Sequence, residues 1–224
     1  ELIYDGVSDS NLYLNRNGID LNSFDKGFEG REKVRHYEGW KKDETIFIMV
    51  ANLIPYKGHI DLVNAFSLLK QRSEPWRLVL IGTGNQKYTK QLHQIVDHFD
   101  LAENIDFLGK RNDIARLLNA ADVGVLSSHQ EGFSNAILEY MAASLPVVAT
   151  SVGGNLDIVQ EGINGVLAKP NSSKSLSKKL EKMLANCDDR KSMGIKGRQY
   201  VENKFSLEAC IERYENIYRQ VLNQ

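Results

Sequence analysis

The stretch DVGVLSSHQEGFSNAILEYMAASLPVVAT, residues 122–150, holds in one piece the alternation that decides the fold. An apolar run, DVGVLSS, gives way to a polar loop with a glycine, then to a helix-periodic segment, then to a second apolar run, LPVVAT. A strand, a helix and a strand within about 30 residues is the span of a parallel βαβ unit. The helical part carries two acids, Glu131 just ahead of it and Glu139 in its second turn, on an otherwise apolar segment. A carboxylate there is costly unless something partners it.

The alternation extends in both directions. TIFIMVAN (45–52), WRLVLIG (76–82), NIDFLG (104–109) and GVLAKP (165–170) read as strands, with the amphipathic segments GHIDLVNAFSLLKQR, KYTKQLHQIVDHF and DIARLLNAA between them. This predicts an α/β domain, a Rossmann-like parallel sheet with helices on both faces. From residue 173 the pattern is helical only. KSLSKKLEKMLAN, DRKSMGIKGRQYVEN and SLEACIERYENIYRQVL are predicted to pack against the sheet, with Ser206 capping the last. Residues 1–44 are the least regular, with one short strand and a turn at Asn17 and Gly18 in LYLNRNGID and one short helix in REKVRHYEGW.

With 224 residues, 42% of them hydrophobic, and a net charge of −1, the chain can bury a sizeable core and shows no whole-chain footprint for nucleic acid. Cys187 and Cys210 are the only cysteines and sit in no metal-ligand spacing, so a reducing cytoplasm is the expected location. No apolar run approaches the roughly 20 residues that span a bilayer. The histidines read as structural, and His129 packs or faces solvent. The chain opens with Glu1 rather than Met, which suggests an excised or processed piece of a longer polypeptide.

In doubly wound sheets ligands sit at the carboxyl ends of strands, so the loops after the strands are the candidates. Lys57 and Gly58 follow the first strand, where an ammonium suits a diphosphate; a solvated surface lysine fits the position as well. IGTGN offers Gly82 and Gly84 but has Lys87 where a dinucleotide fingerprint needs a third glycine. Gly132 gives a turn, Ser134 or Asn135 caps the next helix, and the free amides of that first turn make an anion site. Glu139 alone reads as the partner of a neighbouring lysine. With Glu131 on the other side of an anion site, both acids read instead as acceptors for hydroxyls flanking a phosphate. GGN at 153–155 is a second phosphate or sugar contact, or only a tight turn. No Asp-x-Asp pair is present to hold a divalent metal on a diphosphate.

Together these residues resemble the C-terminal, donor-binding half of a family 4 (group 1) glycosyltransferase of the GT-B fold. The likeness runs from NGID at 17–20 to about residue 220, and is most specific in EGFSNAILEYMAASLPVVATSVGG, with its Glu-x7-Glu pair, and in LIPYKG. IGTGN, FLGKRNDIARLLNAADV and EGINGVLAKP add weaker support. The resemblance implies a retaining, metal-independent hexosyltransferase without cofactor. It would pass a sugar from a nucleotide-sugar, a UDP- or GDP-sugar, to a hydroxyl of an acceptor sugar, lipid-linked or other glycan, in polysaccharide or glycoconjugate synthesis.

Residue by residue, it implies that Glu139 holds the ribose hydroxyls and Glu131 the donor sugar. Lys57 would hold the diphosphate, the amides from Gly132 through Phe133 and Ser134 to Asn135 the sugar or diphosphate, and the loop at Lys110 and Arg111 the base. Glu131 and Lys57 would be the catalytic residues, and Asn52 and Gly84 would complete the donor site. The family usually has an arginine where Asn52 stands, so Arg111 or Lys110 becomes a candidate for the missing charge. The implied organisation is a linker remnant and first strand in residues 1–16, the nucleotide-sugar-binding domain in 17–205, and a C-terminal helix, 206–224, that crosses to a missing N-terminal domain or mediates self-association. Any membrane attachment would be peripheral, through that missing domain, and the isolated piece would be inactive. A non-catalytic nucleotide- or sugar-binding module, and a GT-B sugar-nucleotide epimerase or hydrolase, are the alternative readings.

Overall fold

The structure, a computed structural model, describes residues 12–13, 15–25, 30–70 and 72–222. Six strands, β1 (Thr45–Val50), β2 (Trp76–Ile81), β3 (Ile105–Gly109), β4 (Val123–Leu126), β5 (Val147–Thr150) and β6 (Gly165–Ala168), form one sheet in the order β3-β2-β1-β4-β5-β6. Every strand pair in it is parallel. Three of the strands are apolar almost throughout, because helices cover both faces: TIFIMV of β1 is buried except at its last residue, and VGVL and VVAT of β4 and β5 are buried entirely.

The order reverses between β1 and β4, the switch point at which doubly wound sheets open a crevice at their carboxyl ends. Right-handed crossovers place the helices that follow β1 and β2 on one face and those that follow β3, β4 and β5 on the other. In the first group α3 (His59–Ser67) packs on α4 (Gln86–His98) and on the later helix α8 (Ser173–Ala185). In the second, α1 (Asn22–Asp25) and α2 (Arg31–Glu38) pack on α5 (Ile114–Ala120), and α6 (Asn135–Ala142) packs on α9 (Cys187–Phe205). A short α7 (Asn155–Ile158) follows β5, and α10 (Leu207–Leu222) ends the described chain.

The predicted strand in LYLNRNGID is not found at the described positions. Ile19 instead makes a single parallel bridge to Ser206, with its amide on the Phe205 carbonyl at 2.8 Å. Gly18 lies so close to α10 that a Cβ would sit 2.6 Å from Cys210 Cβ. Residues 1–11 and 14, which hold most of the anticipated linker, lie outside the described residues. Ser206 does cap α10, accepting from the Ala209 amide at 3.2 Å. No helix among the described residues is long and apolar enough to cross a membrane, and both cysteines are free.

Candidate functional site

Tyr140 fixes the helix that carries both acids. Its ring is fully buried, and its hydroxyl accepts from the Val50 amide at 2.8 Å and donates to the Val125 carbonyl at 3.2 Å. One side chain thereby pins α6 to β1 and β4 on either side of the switch point. Gly124 makes the approach possible, since a Cβ there would meet the Tyr140 ring at 2.3 Å. Burial pushes the Tyr140 phenol well above its usual range, so it stays a neutral strut.

Two loops close over the crevice from opposite sides. Gly58 sits at φ +71° with no room for a Cβ, which would fall 2.0 Å from the Ser127 carbonyl oxygen. The Ser127 hydroxyl reaches the Lys57 and Gly58 carbonyls at 3.1 and 3.0 Å, and the His129 amide donates to the Tyr56 carbonyl at 2.7 Å. This brings Lys57 Nζ to 2.6 Å from Glu131 Oε1, an oxygen that also accepts from the Ser128 hydroxyl at 2.6 Å. With side chains 19% and 9% exposed, the pair is not the solvated surface lysine of the alternative reading. His129 neither packs nor simply faces solvent: its Nε2 lies 2.7 Å from Asp61 Oδ2, a polar pair that the sequence did not suggest.

Ser134 is the cap of α6, its hydroxyl accepting from the Ile137 amide. Phe133 packs on Phe205 and Asn135 accepts from Asn17, so those two side chains are occupied away from the crevice. What the turn offers is backbone: among the described residues the amides of Gly132, Phe133, Ser134 and Asn135 donate to no protein acceptor, and the helix adds roughly half a positive charge there. Glu139, one turn on, has no hydrogen-bond or ion-pair partner among the described residues, and burial raises its pKa. The neighbouring-lysine reading of Glu139 thus finds no lysine.

Asn52, Lys110 and Arg111 share a second wall of the crevice, with Val50, Gly82, Thr83 and Ile114, around a cleft of about 390 Å³. Arg111 is not free to replace a missing diphosphate cation, because Glu38 and Asp113 hold it at 2.8 Å. Lys110 is exposed and unpaired among the described residues. Gly82 and Gly84 have packing reasons: Cβ atoms there would lie 2.0 and 2.1 Å from the Ala51 and Leu53 carbonyl oxygens, which the strand-end loops need to pass each other. Gly153 and Gly154 likewise press on the Glu131 and Gly132 carbonyls, so GGN holds the Glu131 loop in place from behind. Ser128, Tyr140, Glu38 and Asp113 carry no signal in sequence spacing; their roles come from contacts across the fold.

A six-stranded doubly wound sheet with a polar crevice at its switch point defines a Rossmann-like domain of the GT-B type. The profile of the glycosyl transferases group 1 matches residues 30–200, and the chain belongs to that family. It is 30% identical to the N-acetyl-alpha-D-glucosaminyl L-malate synthase of Bacillus anthracis, over 82% of the chain and 49% of that protein. To the capsular polysaccharide biosynthesis glycosyltransferase CapM of Staphylococcus aureus it is 27% identical, over 93% of the chain and 54% of the relative. Among solved structures it resembles Anabaena Alr3699/HepE in complex with UDP and glucose, with a TM-score of 0.88 and 25% identity over 99% of the chain and 60% of HepE. The chain thus spans about half the length of the curated relatives it matches.

Proposed function

We propose that the chain is the donor-binding half of a retaining glycosyltransferase that moves a sugar from a UDP- or GDP-sugar to an acceptor hydroxyl without a metal. The observation that carries this is Glu139: a half-buried carboxylate with no partner among the described residues, one turn on from four unengaged amides, is a costly arrangement in the ligand-free domain that a hydroxyl-bearing ligand would relieve. Ribose hydroxyls donating to Glu139 would do so, with the diphosphate on the α6 amides and Lys57 and the sugar against Glu131. The base would lie in the cleft of Asn52, Lys110 and Arg111. In the reaction the anomeric carbon would lose its bond to the diphosphate oxygen and gain one to the acceptor oxygen, with the acceptor's hydroxyl proton passing to the leaving diphosphate. Charge developing on the leaving diphosphate is met by preorganised N–H groups and Lys57 rather than by a cation brought from solution.

Support comes from a relative named for capsular polysaccharide biosynthesis and from a solved structure holding UDP and glucose, which favour polysaccharide or glycoconjugate synthesis. A second α/β domain would bear the acceptor and any membrane contact, with α10 crossing to it. A binding module without transfer is the second reading, favoured by one observation: Asn52 has no charge and Arg111 is tied elsewhere.

Titration of the chain with UDP and GDP tests the shared site. Glu139→Ala is expected to weaken the tighter of the two at least tenfold, about the loss from removing a charged hydrogen-bond acceptor. The same change should leave the ligand-free domain at least as stable at neutral pH. A raised carboxyl pKa means that the folded state holds its proton longer, so ionised Glu139 lowers stability as pH rises through and above the ordinary carboxylate range. Unchanged nucleotide affinity would count against both readings.

A further inference from the structure

Arg111 stands in the cleft wall beside Asn52 and Lys110, yet its guanidinium is taken along both edges. Nη1 and Nη2 donate to Glu38 Oε2 and Oε1 at 3.1 and 2.8 Å, while Nε and Nη2 donate to Asp113 Oδ1 and Oδ2, both at 2.8 Å. Arg116 closes the cluster, its Nη1 reaching Glu38 Oε1 at 3.2 Å and Asp113 Oδ2 at 3.1 Å. Two arginines and two carboxylates cancel in formal charge. Glu38 has a side chain only 6% exposed and belongs to α2, a helix that supplies no lining residue to this cleft. A buried carboxylate brought from outside a cleft to grip an arginine in its wall acts on that arginine's orientation.

A guanidinium held by two forked carboxylates has four of its five N–H groups spent. It cannot turn to a diphosphate, and the surface it has left is its flat face, which accepts aromatic heterocycles. Resting on the nucleotide reading above, we propose that Glu38 is a positioning residue for the base end of the donor. By pinning Arg111 edgewise it converts a phosphate-seeking cation into a stacking plate for the nucleobase, and leaves Lys110 as the uncommitted cation of the cleft. Selectivity follows: the cleft binds a base by its ring, not a bare phosphate by charge.

The test is calorimetric titration of the chain with UDP, or with GDP where that binds more tightly, and separately with pyrophosphate, alongside thermal melting. Glu38→Gln is expected to weaken the nucleotide about tenfold, within what base stacking contributes, with pyrophosphate affinity unchanged or increased. Glu38→Asp, which keeps the charge, should recover most of the loss. Arg111→Lys, which keeps the cation but not the plane, should show the same selective loss if Glu38→Gln does not fold. Nucleotide affinity unaffected by Glu38→Gln and by Arg111→Lys would overturn the proposal, as would nucleotide and pyrophosphate weakened by one common factor, the mark of a strut for the whole domain. Wild-type chain that binds pyrophosphate but neither nucleotide would overturn the nucleotide reading itself, and this inference with it.

Discussion

Lys57 and Glu131 neutralise each other across 2.6 Å at the mouth of the crevice, so in the ligand-free domain neither charge is idle. Two residues on, His59 is buried at the start of α3, and its Nδ1 has no hydrogen-bond partner among the described residues. Burial, with the Lys57 charge second, pushes its pKa down to about 4 from 6.5. The unfolded chain therefore takes up a proton between about pH 6.5 and 4 that the folded chain refuses, and stability falls as pH drops through that window. Denaturant titrations across it should show a loss on the order of 3 kcal/mol, largely absent in His59→Gln. Asp113 acts lower. The Arg111 guanidinium holds its carboxyl down to about 2, so its contribution persists to more acid pH and is lost only as pH falls from the ordinary carboxylate range toward that value. A midpoint indifferent to pH between 4 and 6.5 in the wild type would contradict the account of His59.

At the scale of elements, the site depends on backbone approaching backbone. Gly58, Gly84, Gly153 and Gly154 each sit where a Cβ would fall within 2.2 Å of a carbonyl oxygen, so the loops after β1, β2, β4 and β5 interlock at the crevice. Gly58→Ala combines that clash with a positive φ. It is expected to cost about 2 kcal/mol or more, read as a lowered urea midpoint with the slope unchanged; an unshifted midpoint would show that the loops give way freely. This interlock also explains how far the sequence was legible. Strand-helix alternation announced all six strands of the sheet and the helices of more than one turn, because burial on both faces leaves its mark in composition. Lys57 and Glu131 were legible as candidates because they stand in loops just after strands, and Glu139 because it is an acid on an otherwise apolar helix, α6. Contacts such as Ser128 to Glu131, or Glu38 to Arg111, join residues with no shared periodicity, and for Gly84 and the 153–155 turn the sequence leaves ligand contact and tight turn undivided, because close approach to a phosphate and close approach to a carbonyl both select glycine.

On the scale of the whole molecule, α10 is the element whose own domain does not use it fully. Of its 16 residues only Cys210 is buried, while Leu207, Ile211, Tyr214, Tyr218, Val221 and Leu222 form an exposed stripe at three- and four-residue steps. On the donor-half reading proposed above, this stripe would meet a second domain. Alone, it should self-associate in sedimentation experiments as concentration rises, and Ile211→Glu with Tyr218→Glu should keep it monomeric. A wild-type chain monomeric at all concentrations would argue that the stripe is tolerated rather than used.

The central claim is that a nucleotide-sugar lies across the switch point between β1 and β4. Hydrogen exchange of the chain with and without UDP or GDP tests it most directly. The account predicts slowed exchange at residues 51–58, 109–113 and 131–139, with the carboxyl-end loops protected together and the amino ends of the strands unchanged. Protection confined to any other face, or none at saturating nucleotide, would contradict it.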